Sequence, residues 1–393
     1  MKILLVTEKY GSHYTQRDGG SKLVETLQKA LSDSLSIMQF GPKADPSARW
    51  HFDYPVELPN RFEKRIANAS FIEQKIRKIA QKFNNIIFIH ISMQFGFANM
   101  PLQDGINVWT FPMFLTPSYV ASGEIVPSQY IQVERQTLAN SKNILTPSYL
   151  EKKQLIEFFS VPEERIHIVP RGVEINLLNP KVRHLSKDIV FCSLGSIKPQ
   201  KNTIGLIRLF VKIYNRFPGS TLKIIGPVQN VKYFDEVVSE IKKFGLGKSI
   251  KFTGYVKPNS LALAIEDAHI HISTSLCETF GRVIFETLAS GLPNLIISSK
   301  NNAAIDFLKN VPYARFTYDN DSALNILEEM FANFSILSSM ALEIGELYNE
   351  EKLSKLLVAE ICNNPNRDKI RSPDCFDKVI ETSPVCYNSK KRG

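Results

Sequence analysis

Short, β-branched apolar runs alternate along this chain with longer segments whose apolar positions recur at intervals of three and four. Ile3 to Thr7 reads as a strand and Lys22 to Leu31 as a helix. Asn85 to Ile91 and Ile106 to Thr110 continue as strands, and Asn143 to Leu145 and Ile166 to Val169 flank a helix over Tyr149 to Phe159. A polar stretch, KVRHLSKD, follows Pro180 and reads as a linker, and a second series then begins. It runs strand Ile189 to Leu194, helix Thr203 to Arg216, strand Thr221 to Ile225, helix Tyr233 to Phe244 and strand Ile250 to Phe252. It continues with helix Ser260 to Asp267, strand Ile270 to Ser273, helix Glu278 to Ser290 and strand Asn294 to Ile297. Such alternation produces βαβ units, hence parallel sheets with both faces covered by helices. The pattern predicts an α/β protein of two Rossmann-like domains facing a cleft: residues 1–180, then 181–345, with a C-terminal helix and polar tail over 346–393.

Length agrees, since 393 residues exceed one ordinary core. The formal charge of +9 suits anionic ligands or anionic membrane surfaces. No long block of like charge or nucleic-acid signature accompanies it, so nucleic acid is not expected as a partner. The five cysteines are scattered, without CxxC spacing, which argues against a disulfide framework and a zinc site. The opening MKILLVTEKYG reads as a strand rather than a signal peptide, and no apolar stretch is long enough to span a bilayer. A cytoplasmic protein is expected, with membrane association left open.

The segment STSLCETFGRVIFETLASGLP, Ser273 to Pro293, follows a strand and opens a helix. A helix starting near Thr279 would aim unpaired N–H groups at the carboxyl edge of a parallel sheet, where such sheets bind ligands. Glu278 and Glu286 are eight residues apart, which on one helix places them roughly on one face. Carboxylates accept paired hydrogen bonds from the adjacent hydroxyls of ribose and hexose rings. Two surface glutamates at that spacing prove little alone; their neighbours carry the argument.

Glu278-x7-Glu286 followed by Ala289, Gly291 and Pro293 resembles the E-x7-E motif of retaining glycosyltransferases of family 4, which have the GT-B fold. LGSIKPQKN (194–202) is similar to that family's strand–loop–helix segment, and SYLEKKQLIEFFSVPEERIHIVPRGVE (148–174) to its interdomain segment. FTGYVKPNSLALAIEDAHIHIS (252–273) and GGSKLVETLQKAL from Gly19 also resemble family segments. The resemblance implies that Glu286 holds the nucleotide ribose and that Glu278 lies near the donor sugar. The backbone N–H groups of Phe280 and Gly281, beside Thr279, would contact sugar or phosphate. Lys201 would neutralise the diphosphate, where leaving-group charge develops.

Two departures stand out. Ser196, after Gly195, occupies the place of a phosphate-binding arginine, for which Lys198 is a candidate substitute. Arg171 replaces asparagine; it either reaches the phosphates from the hinge or pairs with Glu174. Arg282 within E-x7-E is also unusual. Gly19 and Gly20 are candidates for acceptor and diphosphate contact before a helix, and Arg17 and Asp18 for acceptor contact. His90 ends a strand and is expected at the cleft as a catalytic candidate, His13 less so. Residues 61–83 read as one basic amphipathic helix that either packs on the sheet or lies on an anionic membrane.

The expectation is a retaining hexosyltransferase. It takes a nucleotide diphosphate sugar, UDP by preference, as co-substrate and a hydroxyl on a glycan, lipid-linked or natural-product acceptor, with no cofactor and no metal. A nucleotide-sugar epimerase of the same fold and a non-catalytic nucleotide-sugar-binding protein are the alternatives. A dehydrogenase is disfavoured because no GxGxxG follows the first strand.

Overall fold

The computed structural model describes residues 2–8, 19–42, 45–97, 106–297 and 300–362. Two parallel sheets organise the chain. The first holds β1 (Ile3–Thr7), β2 (Leu35–Phe40), β3 (Trp50–Phe52), β4 (Asn85–Ile89), β5 (Asn107–Phe111), β6 (Asn143–Thr146) and β7 (Ile166–Ile168), in the order 3-2-1-4-5-6-7. The second holds β8 (Val190–Leu194), β9 (Thr221–Ile225), β10 (Ile250–Gly254), β11 (Ile270–Ser273), β12 (Asn294–Ile297) and β13 (Ala314–Thr317), in the order 10-9-8-11-12-13. Both orders reverse direction once, between β1 and β4 and between β8 and β11. At such switch points the loops leaving the carboxyl ends of adjacent strands diverge and open a crevice.

The first sheet is covered by α1 (Gly19–Leu31), α2 (Arg61–Ala67), α3 (Ala69–Ala80), α4 (Thr116–Ala121), α5 (Ser128–Asn140) and α6 (Tyr149–Phe159). The second carries α7 (Thr203–Arg216), α8 (Val231–Lys243), α9 (Leu261–Ala264), α10 (Arg282–Ala289), α11 (Ala304–Leu308) and α12 (Asn320–Ala332). Then come α13 (Phe334–Ala341), α14 (Glu343–Leu347) and α15 (Glu350–Ile361). Every residue of β1, β4 and β11 is buried, as expected for strands covered on both faces. Side-chain caps fix several helix starts: Ser148 accepts from the Glu151 N–H, Asn230 from Tyr233 and Asp319 from Asp321 and Ser322.

Residues 61–83 are not one helix. The turn at Asn68 separates α2 from α3, and its amide fixes the break: Nδ2 donates to Lys64 O and Val56 O, each at 2.8 Å, and Oδ1 accepts from the Val56 N–H. Ile72, Ile76 and Ala80 turn inward on the sheet. The stretch after Pro180 is no free linker either. Arg183 is buried, and its guanidinium donates to the carbonyls of Ser290, Ile265, Glu266 and Ala268 at 2.9–3.2 Å, stapling the segment to the second domain.

Two strands of chain join the domains. Val173 donates to Tyr348 O and Glu350 donates back to Val173 O, at 2.8 and 3.0 Å. Gly172 is required there, since a Cβ would overlap the Glu350 backbone. Beyond this crossing α15 packs on α1 of the first domain. A second interdomain contact lies across the cleft, where the Leu150 N–H donates to Asp306 Oδ2 at 2.8 Å and Tyr149 meets Phe307 at a centroid distance of 6.0 Å.

Candidate active site

A cavity of about 410 Å³ opens between the two carboxyl edges. The first domain contributes α1 residues from Lys22 to Thr26, the ends of β5 to β7 and Pro170 to Gly172. The second domain contributes the loops after β8, β9, β10 and β11. Gly195, Ser196, Lys198, Lys201, Thr279, Phe280, Gly281, Glu286 and Arg171 all line it. Topology explains the convergence, because β8 and β11 are neighbours at the second switch point and their loops must leave side by side.

These loops are built for close approach. Gly226 has φ +148° and sits so near Gly195 that a Cβ would overlap the Gly195 carbonyl oxygen. Asn202 takes a left-handed conformation and caps α7 by accepting from Gly205 N–H at 3.2 Å. That turn sends Lys201 back across the loop to form an ion pair with Glu278 Oε1. Glu278 itself is pinned through its backbone, donating to Asn301 O and accepting from Ala303 N–H, both at 2.9 Å.

Glu278 is therefore not on the helix, and the helix does not begin at Thr279. Gly281, with φ +80°, is the cap, and α10 starts at Arg282. The cause is local: Glu278 bridges to Asn302, which holds the chain extended, and glycine then makes the left-handed turn into the helix. Glu286 lies on the second turn and forms an ion pair with Arg282, Nε to Oε1 3.0 Å. The N–H groups of Thr279, Phe280, Gly281, Arg282 and Val283 make no hydrogen bond among the described residues, so this segment offers the cavity a cluster of free donors. Phe280 contributes backbone only; its ring stacks on Phe285 at 4.4 Å in the core.

Arg171 does not pair with Glu174. Glu174 is taken by Lys22 at 2.5 Å. The Arg171 guanidinium instead donates to Met113 Sδ at 3.2 Å and lies 5.9 Å from the Phe111 ring centroid. Burial lowers its pKa to about 10, opposed by Glu151 and Glu350 and assisted by Arg282. Beneath the hinge, burial pushes the Glu151 carboxyl up to about 7 although Thr146 donates to it.

His90 leaves β4 with φ +74°, and its N–H donates to Phe111 O at 2.9 Å. It does not line the cavity formed by the described residues. The strand ends one residue before it, and a short 3₁₀ segment carries the chain away. Gly19 and Gly20 are the first residues of α1, while Arg17, Asp18 and His13 lie outside the described residues. Sequence reading missed Lys22, Gln229 and Tyr255, which also line the cavity. Lys22 follows Ser21 in the first turn of α1, a position the glycine pair could have flagged. Buried His271 is structural: Leu194 N–H donates to Nε2 at 3.3 Å, Nδ1 meets Asn294, and burial lowers its pKa to about 4.

Residues 175–311 match the family model described as glycosyl transferases group 1. The chain is 25% identical to alpha-monoglucosyldiacylglycerol synthase of Streptococcus pneumoniae across 97% of its own length and 91% of that protein. It is also 25% identical to D-inositol 3-phosphate glycosyltransferase of Nocardia farcinica, but there the match spans 41% of this chain and 39% of the relative. Among solved structures, Anabaena Alr3699/HepE in complex with UDP-glucose superposes with a TM-score of 0.73 at 15% identity, over 92% of this chain and 100% of that one. Sucrose-phosphate synthase of Thermosynechococcus elongatus gives 0.73 at 15% identity over 92% and 99%. The two-domain GT-B fold is thus the fold of this chain.

Proposed function

We propose that this protein is a retaining glycosyltransferase that moves a hexose from a UDP-sugar to a lipid-borne hydroxyl. The observation that carries the reading is the convergence, at one switch point, of free N–H donors, Lys201 and Glu286 around an interdomain cavity. Glu286 takes the ribose hydroxyls, giving up its bond to Arg282. The N–H cluster from Thr279 to Val283 and Lys201 receive the diphosphate, and they stabilise its charge as the sugar–phosphate bond breaks. Lys201 exchanges Glu278 for phosphate, which frees the Glu278 carboxylate to accept from donor-sugar hydroxyls. Retention follows from attack on the face that the leaving phosphate vacates, with a phosphate oxygen accepting the acceptor proton. Closure of the two domains excludes water, which would otherwise hydrolyse the donor.

UDP is chosen because a fold-mate binds UDP-glucose, and the lipid acceptor because the relative matched over most of its length makes a glycosyldiacylglycerol. No cofactor or metal enters this reading. Among the described residues no cluster of three or more His, Cys, Asp or Glu is placed to hold one. No helix among them is long and apolar enough to cross a membrane. Arg77 and Lys78 of α3 and Lys82 just beyond it are exposed, and Val120 of α4 and Ile125 after it stand 57% and 91% exposed.

The test is a thermal-shift panel of nucleoside diphosphates and their sugars, followed by transfer from radiolabelled UDP-sugars to diacylglycerol lipids in anionic vesicles, with and without EDTA. A shift with UDP and labelled glycolipid are expected. Absence of any nucleoside-diphosphate shift sinks the reading. Donor turnover without acceptor would favour an epimerase, and UDP binding without any turnover a non-catalytic binding protein.

A further inference from the structure

The cations around the cavity are not equivalent. Lys22 is held by Glu174 at 2.5 Å, Lys201 by Glu278, and Arg282 by Glu286 at 3.0 Å. Arg171 has no carboxylate within 4.0 Å among the described residues. A half-buried guanidinium outside any ion pair sheds part of its hydration, and Glu151 and Glu350 offset its charge only from beyond ion-pair distance. Its neighbours are soft groups, the Met113 sulfur and the Phe111 ring, which orient the side chain without neutralising it. Met113 is moreover held at φ +69°, a backbone state a methionine adopts only under the constraint of its surroundings.

The position of this charge is specific. Arg171 lies in the hinge on the first-domain side of the cavity, and Arg282, at the start of α10, is close enough to depress its pKa. The free N–H groups of Thr279 to Val283 occupy the same edge. Unsatisfied donors and a planar fork outside any ion pair therefore line one cavity, to which the loop after β8 brings Lys198 and Lys201 but no guanidinium. A fork of fixed geometry matches two oxygens of a phosphate better than a single hydroxyl.

We infer that Arg171 is the diphosphate-binding guanidinium of this site, delivered from the hinge rather than from the β8–α7 loop. This rests on the nucleotide-sugar reading above. A cation so placed joins the donor bound on the second domain to the first domain, so leaving-group charge and domain closure are coupled through one side chain.

The experiment is calorimetric titration of the full chain with UDP, UMP and uridine, for wild type, Arg171→Met, Arg171→Gln and Arg171→Lys. Arg171→Met is expected to weaken UDP roughly 10- to 100-fold, the range for losing one charge-assisted fork, and to leave uridine within about twofold. Arg171→Lys should fall between. Arg171→Gln, polar and closer in length, serves if the methionine variant does not fold, and the same selective loss is expected. Equal loss for uridine and UDP would show a merely structural residue and overturn the inference. Unchanged UDP binding would overturn it too. If the wild type binds no UDP, the nucleotide-sugar reading itself fails, a result separable from all of these.

Discussion

The Lys201–Glu278 pair makes a prediction with an unusual sign. Its side chains are 21% and 15% exposed, so the pair is largely shielded but not sealed from water. An ion pair in that setting contributes on the order of 1 kcal/mol, near the upper end for accessible pairs. A diphosphate must displace the carboxylate from Lys201, so that energy is subtracted from donor binding. Glu278→Gln removes the competitor and keeps the backbone bonds to Asn301 and Ala303 that shape the loop. UDP affinity should therefore rise about fivefold, the factor equivalent to about 1 kcal/mol. Transfer should nevertheless fall at least tenfold, because the freed carboxylate is needed at the sugar. Calorimetry of UDP binding and a turnover assay with the UDP-sugar separate the two effects. Lys201→Met supplies the converse: weaker UDP binding, with the double variant showing the coupling energy of the pair. Weaker UDP binding by Glu278→Gln would refute the exchange, since the carboxylate would then be assisting the phosphates rather than competing with them.

Gly226→Ala forces a Cβ onto the Gly195 carbonyl, backbone against backbone, at φ +148°. It should destabilise the second domain by roughly 1–3 kcal/mol and weaken UDP binding through displacement of the 195–196 loop, both readable by thermal shift with and without ligand; an unshifted melting temperature would contradict the geometry. Arg183→Ala leaves several buried carbonyls without a donor and should lower stability by about 2–4 kcal/mol in denaturant melts, while an effect below about 0.5 kcal/mol would mean that the staple is idle. Burial raises Glu151 and Glu134 from 4.5 to about 7, so the native state retains protons that the unfolded chain releases. Their contribution is thus full below about pH 4.5 and declines as pH rises to about 7, at up to about 1.4 kcal/mol per unit and group. Glu151→Gln cannot ionise and should flatten the stability profile from pH 5 to 7.5; an unchanged slope would count against the assignment.

Much of the second domain was legible because its strands and helices are local and strongly periodic. Thr203–Arg216, Thr221–Ile225, Ile270–Ser273 and Asn294–Ile297 fall where the pattern places them. The first domain was harder. β2 and β3 escaped because LSIMQF begins half-buried and WHF is only three residues long, so neither alternates cleanly. The single helix over 61–83 looked continuous because Asn68 is a weak breaker by propensity; only its side-chain bonds to Val56 and Lys64, set by tertiary structure, reveal the turn. In the site, the residues were legible and their geometry was not. Glu278 and Glu286 fit helical spacing, yet the Asn302 bridge and the left-handed Gly281 take the first off the helix. Arg171 and Glu174 also fit a local pair, but Lys22, distant in sequence, takes the glutamate.

The return of α15 to the first domain makes that domain discontinuous along the chain. Its helix α1 is made early, but the surface covering α1 arrives only after the whole second domain has been synthesised. A ribosome therefore releases the first domain with one flank bare, and residues 1–180 expressed alone would keep that flank exposed to any passing apolar surface. Cutting the chain near 345 would strip both domains of their shared clasp rather than trim a tail. Permuting the order of synthesis, so that 346–362 precedes residue 19, is the change that would let the first domain finish without waiting for its partner.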